Sequence, residues 1–453
     1  MHDLLNLSNF SVLMASDHER FLEIGVENKL KPQACPYCLF QKLYSHDKTE
    51  QMFFDTPMQG KPLVLKIQRL RYKCRSCGKT FREPLPDIDD KRLMTARLKD
   101  YIQKRAMRDT FAVVARETGL DEKTIRHVFD DYARHMAETM PFQTPRVLGI
   151  DELKLVGNYR CILTNIEKNS VFDLLPSRKK SDVSLYFKNI KAPDTIEIVV
   201  MDMWEPYRDS VYSELPGRLV VIDKLHVVRM ANEAIEKARK AIRLTLDKKD
   251  RLKLKNERFV LLKRQRDLSN EEAEKLEYWS NLFPEIGAIY KTKEAFFDIF
   301  DQDCDSKTAK GALLAWEPNI PVESKAHFEP LITTLYNWFP EILNGFDYQV
   351  TNAYTESINR LARDIQRMGR GYSLDVVRAK MLYDKEANQP AKTAIRKKKR
   401  GKDKADDVFT RTNRVMESTQ QAVRHKTIIE EKTIYFGPHI PTLCDLFEQG
   451  HFD

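Results

Sequence analysis

The chain has 453 residues, a net charge of +9, and 42% hydrophobic against 32% charged residues. That length exceeds what one apolar core supports, so several soluble, globular domains are expected. No run approaches the roughly 20 apolar residues of a spanning helix, which excludes an integral membrane protein, and the opening residues are too polar for a secretory signal.

Seven cysteines, four of them in two CxxC pairs, point to metal ligation in a reducing compartment, hence to a cytoplasmic protein. Residues 1–30 read as a helical lead-in. Residues 31–90 carry CPYC (Cys35, Cys38) and CRSCG (Cys74, Cys77) around alternating, strand-like runs. Tight CxxC turns direct two thiolates at one ion, and four thiolates satisfy tetrahedral zinc, so a zinc ribbon is expected. The intervening strands offer little apolar area, which makes zinc a main source of folding free energy for this module. Its basic stretch RLRYKCRSCGKTFRE suits contact with DNA phosphates.

Residues 91–140 turn helical. Ala115, Gly119 and Ile125 have the spacing of a helix-turn-helix: a small residue at the helix contact, a left-handed turn, an aliphatic residue in the second helix. Asp121 is placed to cap that second helix, directing Lys123, Thr124 and Arg126 toward a DNA groove. The run PFQTP (141–145) is a linker.

Residues 146–229 hold three apolar runs, a helix, and two more runs, the pattern of a mixed α/β sheet. Asp151 ends the run RVLGI, and Asp202 ends IEIVVM. Asp223 ends RLVVI and opens DKLHVV, with His226 three residues on. Residues 230–350 are an all-helical block, and 351–390 an amphipathic helical region that carries Glu356. Acids converging from separate elements suit two divalent ions: one activates the attacking oxygen in phosphoryl transfer, the other stabilises the leaving oxygen. Asp151, Asp202 and Glu356 are the expected catalytic set, holding two divalent ions. Asp223 competes with Asp202 as second acid, and otherwise forms an auxiliary pair with His226. Glu152, Glu205 and Asp209 are weaker candidates. Trp204 reads as a core residue, with stacking on a flipped base as the alternative.

Residues 237–266 contain 13 Lys or Arg and 3 Asp or Glu, and 394–404 form a second basic run within the terminal segment 391–453. A local excess of this size suits a polyanion partner. Lys237, Arg239, Lys240, Lys248, Lys249 and Arg251 are therefore candidate DNA contacts, as are Arg360 and Arg363 one and two turns beyond Glu356.

Taken in order, CPYC with RYKCRSCG, the helix-turn-helix, GIDE, DKLHVV and TNAYTESINR followed by MGRGYSLDVVRAKMLY resemble the ISL3 family of insertion-sequence transposases. The resemblance covers roughly residues 30–390. It implies a DDE transposase with a ribonuclease H-like core, interrupted after its fifth strand by an all-helical insertion, and magnesium as cofactor. It also implies binding to the terminal inverted repeats of an element and to target DNA, strand cleavage and strand transfer, and a homodimer or higher oligomer on DNA. Two other functions fit the same residues: a DNA-binding regulator with an inactive core, and a ribonuclease H-like nuclease that cleaves without joining.

Overall fold

The computed structural model describes residues 7–140, 142–348 and 350–384. The described residues divide into two compact units, one within 1–141 and 364–387, the other within 142–363.

In the first unit the expected helical lead-in is instead two strands, β1 (Phe10–Asp17) and β2 (Leu22–Asn28), paired antiparallel. Their apolar spacing is compatible with a helix. Parallel pairing of β2 with β4 (Lys61–Cys74) decides otherwise, because it buries Phe10, Ile24 and Val26. β3 (Leu43–Met58) and β4 form a long hairpin through Gln59 and Gly60, both at positive φ, as a two-residue turn between twisted strands demands. β5 (Thr80–Arg82) pairs β4, and β6 (Ile88–Asp89) with β7 (Met94–Thr95) completes the edge beyond β3. Phe53, Leu63, Leu65, Ile67 and Leu85 fill the core of this sheet. The apolar core is therefore larger than the sequence suggests, and the sheet does not depend on zinc alone.

Three helices follow: α1 (Ala96–Arg108), α2 (Phe111–Thr118) and α3 (Glu122–Thr139). Gly119 ends α2 at φ 74°, and a Cβ there would meet Pro62 of β4, so the position excludes larger residues twice over. Asp121 caps α3 by accepting from the Thr124 N–H at 2.8 Å. Ile125 is buried, and the Phe111 and Phe129 rings lie 5.0 Å apart. The helix Leu374–Tyr383, expected with the catalytic core, belongs to this unit, where buried Lys380 donates to the carbonyls of Ala106 and Asp109 at the end of α1.

The second unit is built on five strands: β8 (Val147–Leu155), β9 (Asn158–Asn165), β10 (Ser170–Leu175), β11 (Ile198–Met201) and β12 (Leu219–Ile222). Their order is β10-β9-β8-β11-β12. The first three are antiparallel, and β11 and β12 run parallel to β8, which is the ribonuclease H-like topology. α4 (Lys180–Lys188) crosses to β11 as expected; α5 (Glu205–Glu214), between β11 and β12, is absent from the sequence reading. After β12 come α6 (Lys224–Thr245), α7 (Lys248–Asn256), α8 (Arg258–Leu262), α9 (Asn270–Leu282), α10 (Pro284–Asp301), α11 (Ser306–Trp316), α12 (Val322–Asn337) and α13 (Phe339–Asp347). α14 (Ala353–Gly369) then returns to the sheet. One apolar cluster runs from Ile150 and Val199 through Ala231 and Ile235 of α6 to Phe296 and Trp316, so the insertion shares the core of the sheet.

Candidate active site

Parallel pairing sets the geometry of the carboxylates. Met201 of β11 lies opposite Ile150 of β8 and also opposite Ile222 of β12. The next residue in each chain segment is an aspartate, so Asp151, Asp202 and Asp223 form one row across three neighbouring strands. Such a row sits at the carboxyl ends of the parallel strands, where open α/β sheets present their sites.

The three aspartates are held differently. Asp223 is 0% exposed and caps α6: its Oδ1 accepts from the Leu225 N–H at 2.9 Å and its Oδ2 from the Asn352 N–H at 2.5 Å. Asp202 is half-buried, with Oδ2 3.0 Å from His226 Nε2 and Oδ1 buried without a hydrogen-bond partner. Asp151 is buried; its Oδ1 accepts from the Glu152 N–H at 2.7 Å and its Oδ2 from the Asn359 side-chain amide at 2.5 Å. Glu356, in the first turn of α14, lies 3.9 Å from His226 Nε2.

The start of α14 is fastened to β8 and β9 by polar groups. Asn352 donates to the Ile150 carbonyl at 3.0 Å, and the Thr355 and Thr164 hydroxyls meet at 2.7 Å. A Cβ on Gly149 would collide with both threonine hydroxyls and with Asn352 Oδ1. The glycine of GIDE thus lets the helix approach the strand.

Crowding shows in the acidities. Burial, reinforced by the charges of Asp202 and Glu356, pushes the Asp151 carboxyl well above the usual range. Burial and the charges of Asp223 and Asp202 push Glu356 up to about 7, against the opposing pull of His226. Burial alone would depress His226, but its bond to Asp202 and the surrounding carboxylates outweigh this and raise it to about 9. The donor set is hard oxygen, and four buried polar atoms here have no hydrogen-bond partner: Asp202 Oδ1, His226 Nδ1, Asn352 Oδ1 and Asn359 Oδ1. Both features fit divalent cations of the magnesium class.

In the first unit, Cys35, Cys38, Cys74 and Cys77 bring their sulfurs within 4.8 Å of one another. Cys35 and Cys77 are 3.7 Å apart and Cys38 and Cys74 3.6 Å; tetrahedral zinc with bonds of about 2.3 Å requires about 3.8 Å. The two knuckles share one construction. Each first cysteine's carbonyl accepts from the residue four on, Leu39 or Gly78, and both those residues take positive φ. The carboxylates of the sheet are not gathered this tightly.

Residues 148–381, just over half of the chain, match the DDE transposases of the ISL3 type. The chain belongs to the ISL3 transposase family. Residues 83–133 match the helix-turn-helix domain of ISL3 transposases, and 31–77 the zinc finger of the IS204, IS1001, IS1096 and IS1165 transposases. The transposase of insertion sequence element IS1001 from Bordetella parapertussis is 22% identical over 363 residues, covering 79% of this chain and 89% of that protein. The transposase of IS1557 from Mycobacterium tuberculosis is 24% identical over 261 residues, covering 51% and 58%. The protein is thus a DDE transposase of an insertion sequence, with a four-cysteine zinc ribbon and DNA binding through its helix-turn-helix. No helix among the described residues is long and apolar enough to cross a membrane.

Several sequence-predicted DNA contacts of this ISL3 transposase are exposed: Lys123, Arg126, Lys237, Lys240, Lys248, Lys249, Arg251, Arg360 and Arg363. The Thr124 hydroxyl is turned back onto the Asp121 carboxylate at 2.7 Å. Arg239 departs from expectation. It is 3% exposed and pairs with Glu236 through both Nε and Nη2, so its charge is spent inside the insertion. Arg264 is likewise buried among Glu294, Asp298 and Asp301, and Arg69 of the ribbon is bound to Asp90 and the Glu83 carbonyl. The basic run 394–404 lies outside the described residues.

Sequence reasoning missed Asn352, Thr355 and Asn359. Their spacing puts them on the buried face of an otherwise amphipathic helix, where polar residues signal partners in the core.

Proposed function

We propose that Asp151, Asp202 and Glu356 are the catalytic carboxylates of the transposase, and that they cleave and join DNA at the terminal inverted repeats of its element. The observation that carries this is the row formed by Asp151 and Asp202 just past the last paired residues of β8 and β11, with His226 within 4 Å of both Asp202 and Glu356. Two magnesium or manganese ions, when bound, supply activation of the attacking oxygen and stabilisation of the leaving oxygen. The chain's own residues do the rest. Asn359 aims Asp151 inward, and Asn352 and Thr355 fix α14 so that Glu356 faces the row. The imidazolium of His226 holds Asp202 and Glu356 together against their repulsion. Asp223 anchors α6, and through it His226, which favours Asp202 over Asp223 as the second catalytic acid.

Water attacks the phosphodiester first, and the freed 3′-hydroxyl then attacks target DNA. Lys123 and Arg126 on α3 are suited to a DNA groove, and the exposed lysines of α6 and α7 to phosphates. A homodimer or larger assembly brings two ends together. Asp151→Asn and Glu356→Gln test the reading: binding to element-end DNA persists, while cleavage and strand transfer fall below detection. Branched-DNA cleavage without end joining by the wild type would instead favour a resolvase-like nuclease.

A further inference from the structure

The helix α15 (Leu374–Tyr383) follows in the chain the helix that carries Glu356, yet it packs on α1 and α3 of the first unit. Ser373 caps its start, and Asp384 just past its end pairs with Arg108 of α1 at 3.6 Å. The chain enters it through a tight turn: a Cβ on Gly369 would collide with the Tyr372 ring, and Arg370 and Gly371 both take positive φ.

Lys380 is the unusual residue of this helix, at 4% exposed. Its ammonium donates to the carbonyls of Ala106 and Asp109 where α1 ends, the latter at 2.9 Å. It also stands 5.4, 5.5 and 5.2 Å from the ring centres of Phe111, Phe129 and Tyr372. Burial lowers the ammonium to about 8, against the opposing pull of Asp109 and Asp384. A buried cation is costly, and here the negative end of a helix and three ring faces offset that cost.

Those rings lead to the recognition helix. Phe111 opens α2, and its N–H, which has no acceptor within the helix, donates to the Tyr372 hydroxyl at 3.1 Å. Its ring lies 4.9 Å from that of Tyr372 and 5.0 Å from that of Phe129 on α3. The guanidinium of Arg126, exposed on α3, is 5.5 Å from the centre of the same Phe111 ring. Phe111 is therefore a common support for Lys380 on one helix and Arg126 on another.

Resting on the reading of Arg126 as a DNA contact, we propose that Lys380 and Tyr372 are positioning residues for end recognition, holding Phe111 and thereby Arg126 at the DNA groove. The three helices α1, α2 and α3 are completed by a fourth, supplied from beyond the helix of Glu356. Holding the guanidinium in advance lowers the ordering cost of binding and aims its donors at one base edge.

The test uses the full-length protein with two duplexes, one carrying the element's own terminal sequence and one a scrambled sequence of equal length and composition. Affinity for each is measured, together with single-turnover cleavage at saturating protein. Lys380→Met keeps an apolar stem without the donors. It is expected to cut the preference for the element end about tenfold, the scale of one lost base contact. Affinity for scrambled DNA and the saturated cleavage rate stay near wild type. Tyr372→Phe, which retains the ring, shifts the preference the same way by a smaller factor. Arg126→Ala matches the Lys380→Met loss, and the double variant is no worse than Arg126→Ala alone, because both act through one contact.

Unchanged preference in both Lys380→Met and Tyr372→Phe overturns the proposal. So does a double variant that shows the product of the two single losses, which marks α15 as general support for the fold. A fall in saturated cleavage with preference intact also overturns it, because α15 then serves the chemistry. Should Lys380→Met melt too low to assay, Tyr372→Phe combined with Arg126→Ala makes the same comparison. Full preference in Arg126→Ala defeats the DNA-contact reading itself, whereas a loss there without one in Lys380→Met or Tyr372→Phe defeats only the positioning role.

Discussion

The side-chain amide of Asn359 donates to Asp151 Oδ2 across 208 positions of sequence, one helical turn beyond Glu356. A single helix, α14, therefore supplies one carboxylate and orients another. This relationship ties the geometry of the site to the docking of α14 on β8.

Asn359→Ala leaves Asp151 without its orienting donor. Loss of such outer contacts weakens metal affinity or activity about 10- to 100-fold. The expected outcome is slower cleavage with a raised magnesium requirement, read by titrating the metal in a cleavage assay. A rate unchanged at every metal concentration would remove Asn359 from this role.

Asp202 and Asp223 should respond oppositely to amidation. Asp202→Asn abolishes cleavage with little change in melting. Asp223→Asn replaces one of two backbone acceptors in a fully buried cap by a donor, at a cost of about 1–3 kcal/mol. Thermal melting and single-turnover cleavage, measured on both variants, distinguish an anchor from a catalytic acid.

Glu356 makes stability depend on pH. Its folded-state value of about 7 stands above the ordinary 4.5, so the folded protein holds the proton more tightly than the unfolded chain. That contribution is complete below about pH 4.5 and is lost as pH rises to about 7. Without added divalent cation, Glu356→Gln should therefore melt above wild type at pH 7.5 and approach it near pH 5. Magnesium should narrow the gap by stabilising only the wild type; melting curves at both pH values, with and without metal, decide it.

Chelation acts locally in the first unit. About one zinc per chain is released, and amides of residues 35–42 and 74–80 become open to hydrogen exchange. Those of Phe53 and Leu65, inside the sheet core, stay protected. Cys38→Ser reproduces the pattern. Exchange of the whole sheet on chelation would mean that zinc, rather than apolar packing, holds it.

Local chemistry was legible in the sequence. Two CxxC turns declare a tetrahedral thiolate site because a tight turn brings its own sulfurs together, and Gly119 with Asp121 declares a helix-turn-helix because both act within a few residues. The strand-helix order of the core and the row of Asp151, Asp202 and Asp223 could be read for the same reason: each apolar run ends at its aspartate. What the sequence could not decide was anything that depends on a distant partner. Residues 10–17 and 22–28 became strands because β4 was there to pair with the second and the second with the first, Arg239 was withdrawn from solvent by Glu236 and the packing around it, and Trp204 was left exposed by the end of β11. Above all, only the parallel alignment of Ile150, Met201 and Ile222 set Asp223 under the start of α6 and Asp202 beside His226. Strand alignment is a contest among long-range pairings, and a linear pattern of residues does not contain its result.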